Sequence, residues 1–198
     1  MRIVENVPLA PLMTFRLGPC ARYFITLETA EDVREAIIFA KEKGLSYFVL
    51  GGGSNTIFTD PKIYEGVIIK MAIPGFEITG EDGDGAIVRV GAGEGWDETV
   101  ARTVDMDLSG IEAMSAIPGS VGAAPIQNIG AYGQEADRVI ACVDIYDAEE
   151  DAYRTLSNEE CRFTYRDSIF KHTSRYVVTG VTLRLSKTRP SVPNYADP

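Results

Sequence analysis

Residues 117–133 read IPGSVGAAPIQNIGAYG, and no regular element accommodates that run. Its glycines, prolines and alanines break both helical and strand periodicity. It also carries few charges, so it does not read as a solvated loop. A long irregular segment of this kind must pair its backbone N–H and C=O groups while staying away from water. Packing against a flat ligand does this, with ring heteroatoms as partners and Gln127 and Asn128 as polar tips. Burial as a structural loop does it too, and the segment alone leaves both readings open.

A second segment narrows the choice. Tyr47-Phe-Val-Leu50 has the pattern of a buried strand and runs directly into Gly51, Gly52, Gly53, Ser54 and Asn55. Successive glycines bare the main chain and tolerate positive φ, so their N–H groups can converge on an anion. Ser54 and Asn55 add side-chain donors. The spacing is neither G-x-G-x-x-G nor a Walker A loop, and a tight turn between strands is an equal reading. A third segment, CRFTYRDSIFK at 161–171, places Arg166 beside Tyr165, where its fork could clamp a carboxylate. From these residues alone, an Arg166–Asp167 ion pair is the simpler expectation.

The charge balance bears on all three. Nineteen basic against 29 acidic residues give a net charge of −10. A nucleic-acid partner would need a basic face, so that class is set aside. A phosphate ligand would have to be held by local donors against the field of the molecule. Cys20, Cys142 and Cys161 are far apart and His172 is the only histidine, which argues against a zinc site or a disulfide framework. No stretch reaches the roughly 20 apolar residues of a membrane span. With no apolar signal core at residues 1–13, the reading is cytoplasmic.

Along the chain the pattern is mixed. A strand at 22–27, a helix opened by Thr29-Ala-Glu-Asp32 and closed by Gly44, and strands at 47–50 and 67–69 form a β-α-β-β unit. A hairpin follows at 76–79 and 86–90, then a helix at 96–106 with Trp96, Val100 and Thr103 or Val104 inward. Strands at 139–146, 153–156 and 176–185 complete it, with a short capped helix starting at Ser157. This predicts an α+β or α/β fold in two subdomains, 1–72 and 73–188, with 189–198 as a linker or a frayed tail.

GGGSN after a strand, IPGSVGAAPIQNIGAYG and CRFTYRDSIFK, in that order, resemble the UDP-N-acetylenolpyruvoylglucosamine reductase family, in its longer type. The similarity runs from about Thr14-Phe15 to the end of the chain. It implies a vanillyl-alcohol-oxidase type of FAD fold, with two α+β subdomains clasping non-covalent FAD. By resemblance, Gly51, Gly52, Gly53, Ser54 and Asn55 hold the pyrophosphate. Ile117, Pro118, Gly119, Gly122, Ile126, Gly130 and Val178 line the flavin. NADPH is the implied hydride donor and UDP-N-acetylglucosamine enolpyruvate the implied substrate, in peptidoglycan precursor synthesis. Arg166 matches the family's catalytic arginine, and Tyr165, Arg166 and Tyr195 are the implied substrate contacts.

Departures from the family accompany the matches. Met13 replaces the usual asparagine, and Ala123-Ala124 stand where many members have serine. The family's catalytic serine and glutamate lie in a C-terminal domain with no matching segment here, and neither Ser120 nor Ser168 sits in the required motif. The expectation is the FAD-binding part of a reductase, with little or no turnover on its own. The alternatives are a short flavin-binding protein and a non-catalytic scaffold.

Overall fold

The computed structural model describes residues 1–58 and 62–188, and its elements fall into two sheets that share one core. The first sheet has the order β1-β2-β4-β3, with β1 Arg2–Pro8, β2 Cys20–Leu27, β3 Tyr47–Leu50 and β4 Ile63–Met71. β4 runs parallel to both β2 and β3, while β1 lies antiparallel on the open edge of β2. The second sheet is antiparallel, in the order β10-β9-β11-β6-β5. Its strands are β5 Phe76–Glu81, β6 Gly85–Gly91, β9 Ile140–Asp147, β10 Ala152–Ser157 and β11 Tyr176–Ser186. A separate two-stranded pair, β7 Gly130–Ala131 and β8 Gln134–Glu135, sits within the long Gly/Pro/Ala segment.

Helix α1 (Glu31–Glu42) forms where its end signals and its apolar stripe agree. Asp32 N–H donates to Thr29 Oγ1 at 3.3 Å while Thr29 N–H donates to Asp32 Oδ2 at 3.1 Å, a reciprocal capping box. At the other end Gly44 takes φ +65°, and the N–H groups of Gly44 and Leu45 donate to Lys41 and Ala40 carbonyls. That is a Schellman closure, which only a residue tolerant of positive φ enters cheaply. Between the ends Val33, Ala36, Ile37 and Ala40 are fully buried. Burial of a Val or Ile side chain contributes about 1.5–3 kcal/mol.

The same helix ties the two sheets together by polar contacts. Arg34 grips Asp151, in the β9–β10 turn, with two 2.6 Å hydrogen bonds. Lys41 Nζ donates to Ala148 O, and Tyr153 Oη donates to Ala30 O. The Arg34–Asp151 pair is half exposed, so it fixes orientation more than it adds stability.

Helix α2 (Trp96–Asp105) buries Trp96, Val100 and Thr103, with Val104 left outside. The Thr103 hydroxyl resolves that choice by donating to Val100 O at 2.9 Å, so its polar atom is satisfied inside the core.

Three expectations need correction. β1 was not anticipated; it is exposed along nearly its whole length and lacks the alternation that betrays a half-buried strand. The 47–50 run is an edge strand, half-buried apart from Leu50. No helix starts at Ser157: the reciprocal Ser157–Glu160 hydrogen bonds form at 2.8 and 3.3 Å, yet the chain only turns and then continues to the 3-10 turn Ile169–His172. Capping contacts alone do not supply the buried face that carries most helix stability. The linker assigned to 189–198, and Tyr195 within it, lie outside the described residues.

Candidate functional site

Two chain segments far apart in sequence meet at one end of the sheets. The 51–55 loop leaves the C-terminal end of β3, and the 117–124 segment crosses in front of it. A Cβ on Gly52 would sit 2.7 Å from Gly119 Cα, and one on Gly51 would sit 2.8 Å from Ser120 Oγ. Only glycine allows the two backbones to approach so closely. Gly53 has φ +71°, and Thr14 N–H donates to its carbonyl at 3.1 Å. Ser54 Oγ donates to Pro118 O at 3.0 Å and Asn55 Nδ2 to Gln127 Oε1 at 3.1 Å. The side chains of Ser54 and Asn55, expected to face an anion, therefore stitch the loops together.

Helix α2 fixes the second segment from behind. Trp96 N–H donates to Gly119 O and the Trp96 indole to Met114 O at 3.0 Å. Asp97 accepts from Ser115 Oγ at 2.7 Å and Ala116 N–H at 2.6 Å. Those bonds hold the Asp97 carboxyl below its usual pKa and set the point where 117 enters.

Between the segments lies a cleft of about 420 Å³, within the range of cofactor and ligand sites. Every proposed cofactor contact except Gly130 lines it, Val178 included. Gly130 lies outside, in β7, where a Cβ would meet Gln134 O at 2.6 Å. The sequence missed the opposite wall: Tyr47, Phe48 and Val49 on β3, Met71, Trp96, and Phe170 with Tyr176 and Val177. No local motif marks these residues, which come together only through strand order.

Several main-chain donors of the residues lining this cleft lack acceptors. Among the described residues, the N–H groups of Gly52, Gly53, Ser54, Asn55, Gly119 and Ser120 have no protein acceptor. Ser120 is buried, and its hydroxyl also has no hydrogen-bond partner among the described residues. Gly53 and Ser120 are buried, where polar groups are almost always paired, while Gly52 and Asn55 are open to solvent. A run of free main-chain donors of this kind suits an acceptor-rich group.

The third motif is built as a tight two-residue turn. Thr164 and Asp167 exchange N–H···O bonds at 3.1 Å, with Tyr165 and Arg166 at the tip. Three bonds anchor it to the second segment: Ser168 Oγ to Ile126 O at 2.7 Å, Asn128 Nδ2 to Thr164 O at 3.1 Å and Arg166 Nη2 to Gly130 O at 2.5 Å. The expected Arg166–Asp167 pair does not form. Asp167 instead meets His172 Nε2 at 2.8 Å, and that contact lowers its pKa. The turn points adjacent side chains apart, which separates Arg166 from its chain neighbour. Neither Tyr165, which is 80% exposed, nor Arg166 lines the cleft, but Lys171 does and donates to Arg166 O at 2.9 Å.

Comparison with known proteins decides the family, because the model of the FAD binding domain matches residues 21–155. The chain belongs to the FAD-binding domain family. It is 42% identical over 194 residues to UDP-N-acetylenolpyruvoylglucosamine reductase of Thermobifida fusca, covering 98% of this chain and 54% of that protein. With the enzyme of the same name from Pseudomonas aeruginosa it shares 39% identity, covering 94% of this chain and 55% of that protein. The chain thus spans about half the length of the curated relatives it matches. The crystal structure of UDP-N-acetylenolpyruvylglucosamine reductase from Thermus caldophilus superposes with TM-score 0.74 at 27% identity, covering 93% of this chain and 61% of that one. A likeness in fold extends to 6-hydroxy-D-nicotine oxidase of Arthrobacter nicotinovorans, with TM-score 0.68 at 19% identity over 93% of this chain and 42% of that one. The architecture is the α+β FAD fold of the vanillyl-alcohol-oxidase type.

The residues present fit such a cofactor. FAD joins a diphosphate, which needs several donors, to a flat ring, which needs an apolar wall. The orphan N–H groups and Ser120 meet the first need, and the cleft's aromatic and aliphatic lining meets the second.

Proposed function

We propose that this chain is the FAD-binding portion of a UDP-N-acetylenolpyruvoylglucosamine reductase. The observation that carries the reading is the cluster of unpaired donors at the closest approach of the 51–55 and 117–124 loops. The N–H groups of Gly52, Gly53, Ser54 and Asn55 would hold the diphosphate, with Gly51 admitting the approach of Ser120. Ile117, Pro118, Gly119, Gly122, Ile126 and Val178 would lie against the ring system, in two subdomains spanning 1–72 and 73–188. Bound FAD would supply hydride transfer, with NADPH as the source and UDP-N-acetylglucosamine enolpyruvate as the acceptor.

Arg166 is the residue suited to the acceptor's carboxylate. One of its five N–H donors is taken by Gly130 O, which aims the fork while leaving the rest available. Its backbone φ of +54° is an unfavourable value for a side chain of this size, and such conformations concentrate at functional positions. Tyr165 stands beside it, exposed enough to contact a bound sugar nucleotide. Attachment of the cofactor through His172 is disfavoured, because that ring is committed to Asp167 and does not line the cleft.

The test is direct. Purified protein should carry, or take up with 1:1 stoichiometry, an oxidised-flavin absorbance spectrum, and acid precipitation should release all of the flavin. No uptake of FAD by correctly folded protein would remove the reading. Without a protonating serine the chain alone should oxidise NADPH no faster with the enolpyruvyl substrate than without it. General acid catalysis typically contributes about 10²–10⁴-fold.

A further inference from the structure

Beneath the 51–55 loop lies a cation that the preceding account does not use. Lys70 is on β4, the strand paired with both β2 and β3, and its Nζ donates to Gly51 O. It is part-buried, and among the described residues no carboxylate lies within ion-pair distance of it. On the same side of β4, Ile68 belongs to an apolar cluster with Leu50, Leu9 and Met13. Burial pushes the Lys70 pKa below the ordinary lysine value, and among the described residues no neighbouring charge opposes it.

An ammonium in such surroundings costs free energy unless something negative is near. The loop it supports offers four unpaired N–H groups and no anion of its own. The rest of the molecule, at net charge −10, repels a diphosphate. Lys70 does not line the cleft, but its contact with Gly51 O places a cation behind the loop that carries the donors, which offsets that repulsion.

We propose that Lys70 is a positioning residue for a diphosphate ligand, acting through Gly51: it fixes the loop and supplies the counter-charge that an otherwise acidic protein lacks. This rests on the FAD reading and extends it to a residue outside the three motifs. The competing role is a neutral strut, in which only the hydrogen bond to Gly51 O matters.

Lys70→Met, Lys70→Gln and Lys70→Arg separate the two. FAD and riboflavin, which has no diphosphate, are titrated into the full chain by calorimetry at low salt and at about 0.5 M salt, where the Debye length is only a few ångström. Met and Gln should each weaken FAD about 10-fold, equivalent to about 1.4 kcal/mol. Arg should stay within about 3-fold, riboflavin should be unchanged throughout, and the loss should shrink at high salt. Full FAD affinity in Lys70→Gln would overturn the counter-charge, as would a parallel loss of riboflavin. Should the Met variant fail to fold, the Gln and Arg pair still decides. If wild-type protein binds riboflavin and FAD equally, the diphosphate site itself is wrong, a result distinct from unchanged FAD binding in the variants.

Discussion

The two glycine-rich segments look alike in composition but keep opposite hydrogen-bond accounts. At 52–55 four consecutive N–H groups have no acceptor among the described residues. In the longer segment Val121 and Gly122 donate to the Glu94 and Ala92 carbonyls. Ala123, Ala124, Ile126, Asn128 and Ile129 donate to carbonyls of the segment itself, through a 3-10 turn and successive tight turns. Gly119 and Ser120, where the segment touches the first loop, keep open donors. Glycine and alanine therefore do different work in the two places. In the first loop they bare the backbone; in the second they let an irregular chain pack densely and satisfy itself.

If that contrast is right, substitutions in the second segment should act on folding and those at the contact on ligand binding. The largest effect is expected at Asn128, which is fully buried, donates to Thr164 O and accepts from Asp137 N–H at 2.9 Å. Asn128→Leu strands both partners and should lower unfolding free energy by about 2–4 kcal/mol in urea titration. Loss of FAD affinity without loss of stability there would break the comparison. Next comes Gly52→Ala, whose methyl group must push Gly119 away. Overpacking of this kind costs the apo protein about 1–3 kcal/mol of stability, and the displaced Gly119 should in addition weaken FAD roughly 10-fold, so a stability loss with unchanged FAD Kd would break the comparison. The smallest effect is Ser120→Ala. Removing an orphan hydroxyl should leave the apo melting temperature unchanged or slightly raised, while FAD affinity falls about 5–10-fold, the value of one hydrogen bond. A marked drop in apo stability would mean the hydroxyl is satisfied by the protein after all.

The part of the fold that could be read from the sequence is the part whose signals are local. The Thr29–Asp32 box, Gly44 and the Trp96–Val100–Thr103 stripe each act within a few residues, so the structure follows them closely. β1 escaped because both of its faces are largely open, and no burial pattern is written into RIVENVP. The Ser157–Glu160 pair misled because a cap signal was present without an apolar stripe behind it.

The glycine loops could be found because glycine spacing is itself the signal. The far wall of the cleft could not. Tyr47, Met71 and Phe170 become neighbours only once β3, β4 and the approach to β11 are arranged in space. Arg166 was singled out as a polar group among aromatics, but its bond to Gly130 O depends on a turn that splits it from Asp167. Lys70 sits in the strand VIIKM, where one charge among apolar residues ordinarily marks a solvent-facing position. Only the carbonyl above it gives it another meaning.

Trp96 is the only tryptophan in the chain, it is 1% exposed, and it forms part of the cleft wall. A ring held by its indole bond to Met114, shielded from water and lining the proposed FAD cleft, is a built-in optical gauge. Its ultraviolet emission overlaps flavin absorption, so occupancy of the cleft should quench it by energy transfer. The unlabelled protein can thereby report its own cofactor loading in real time.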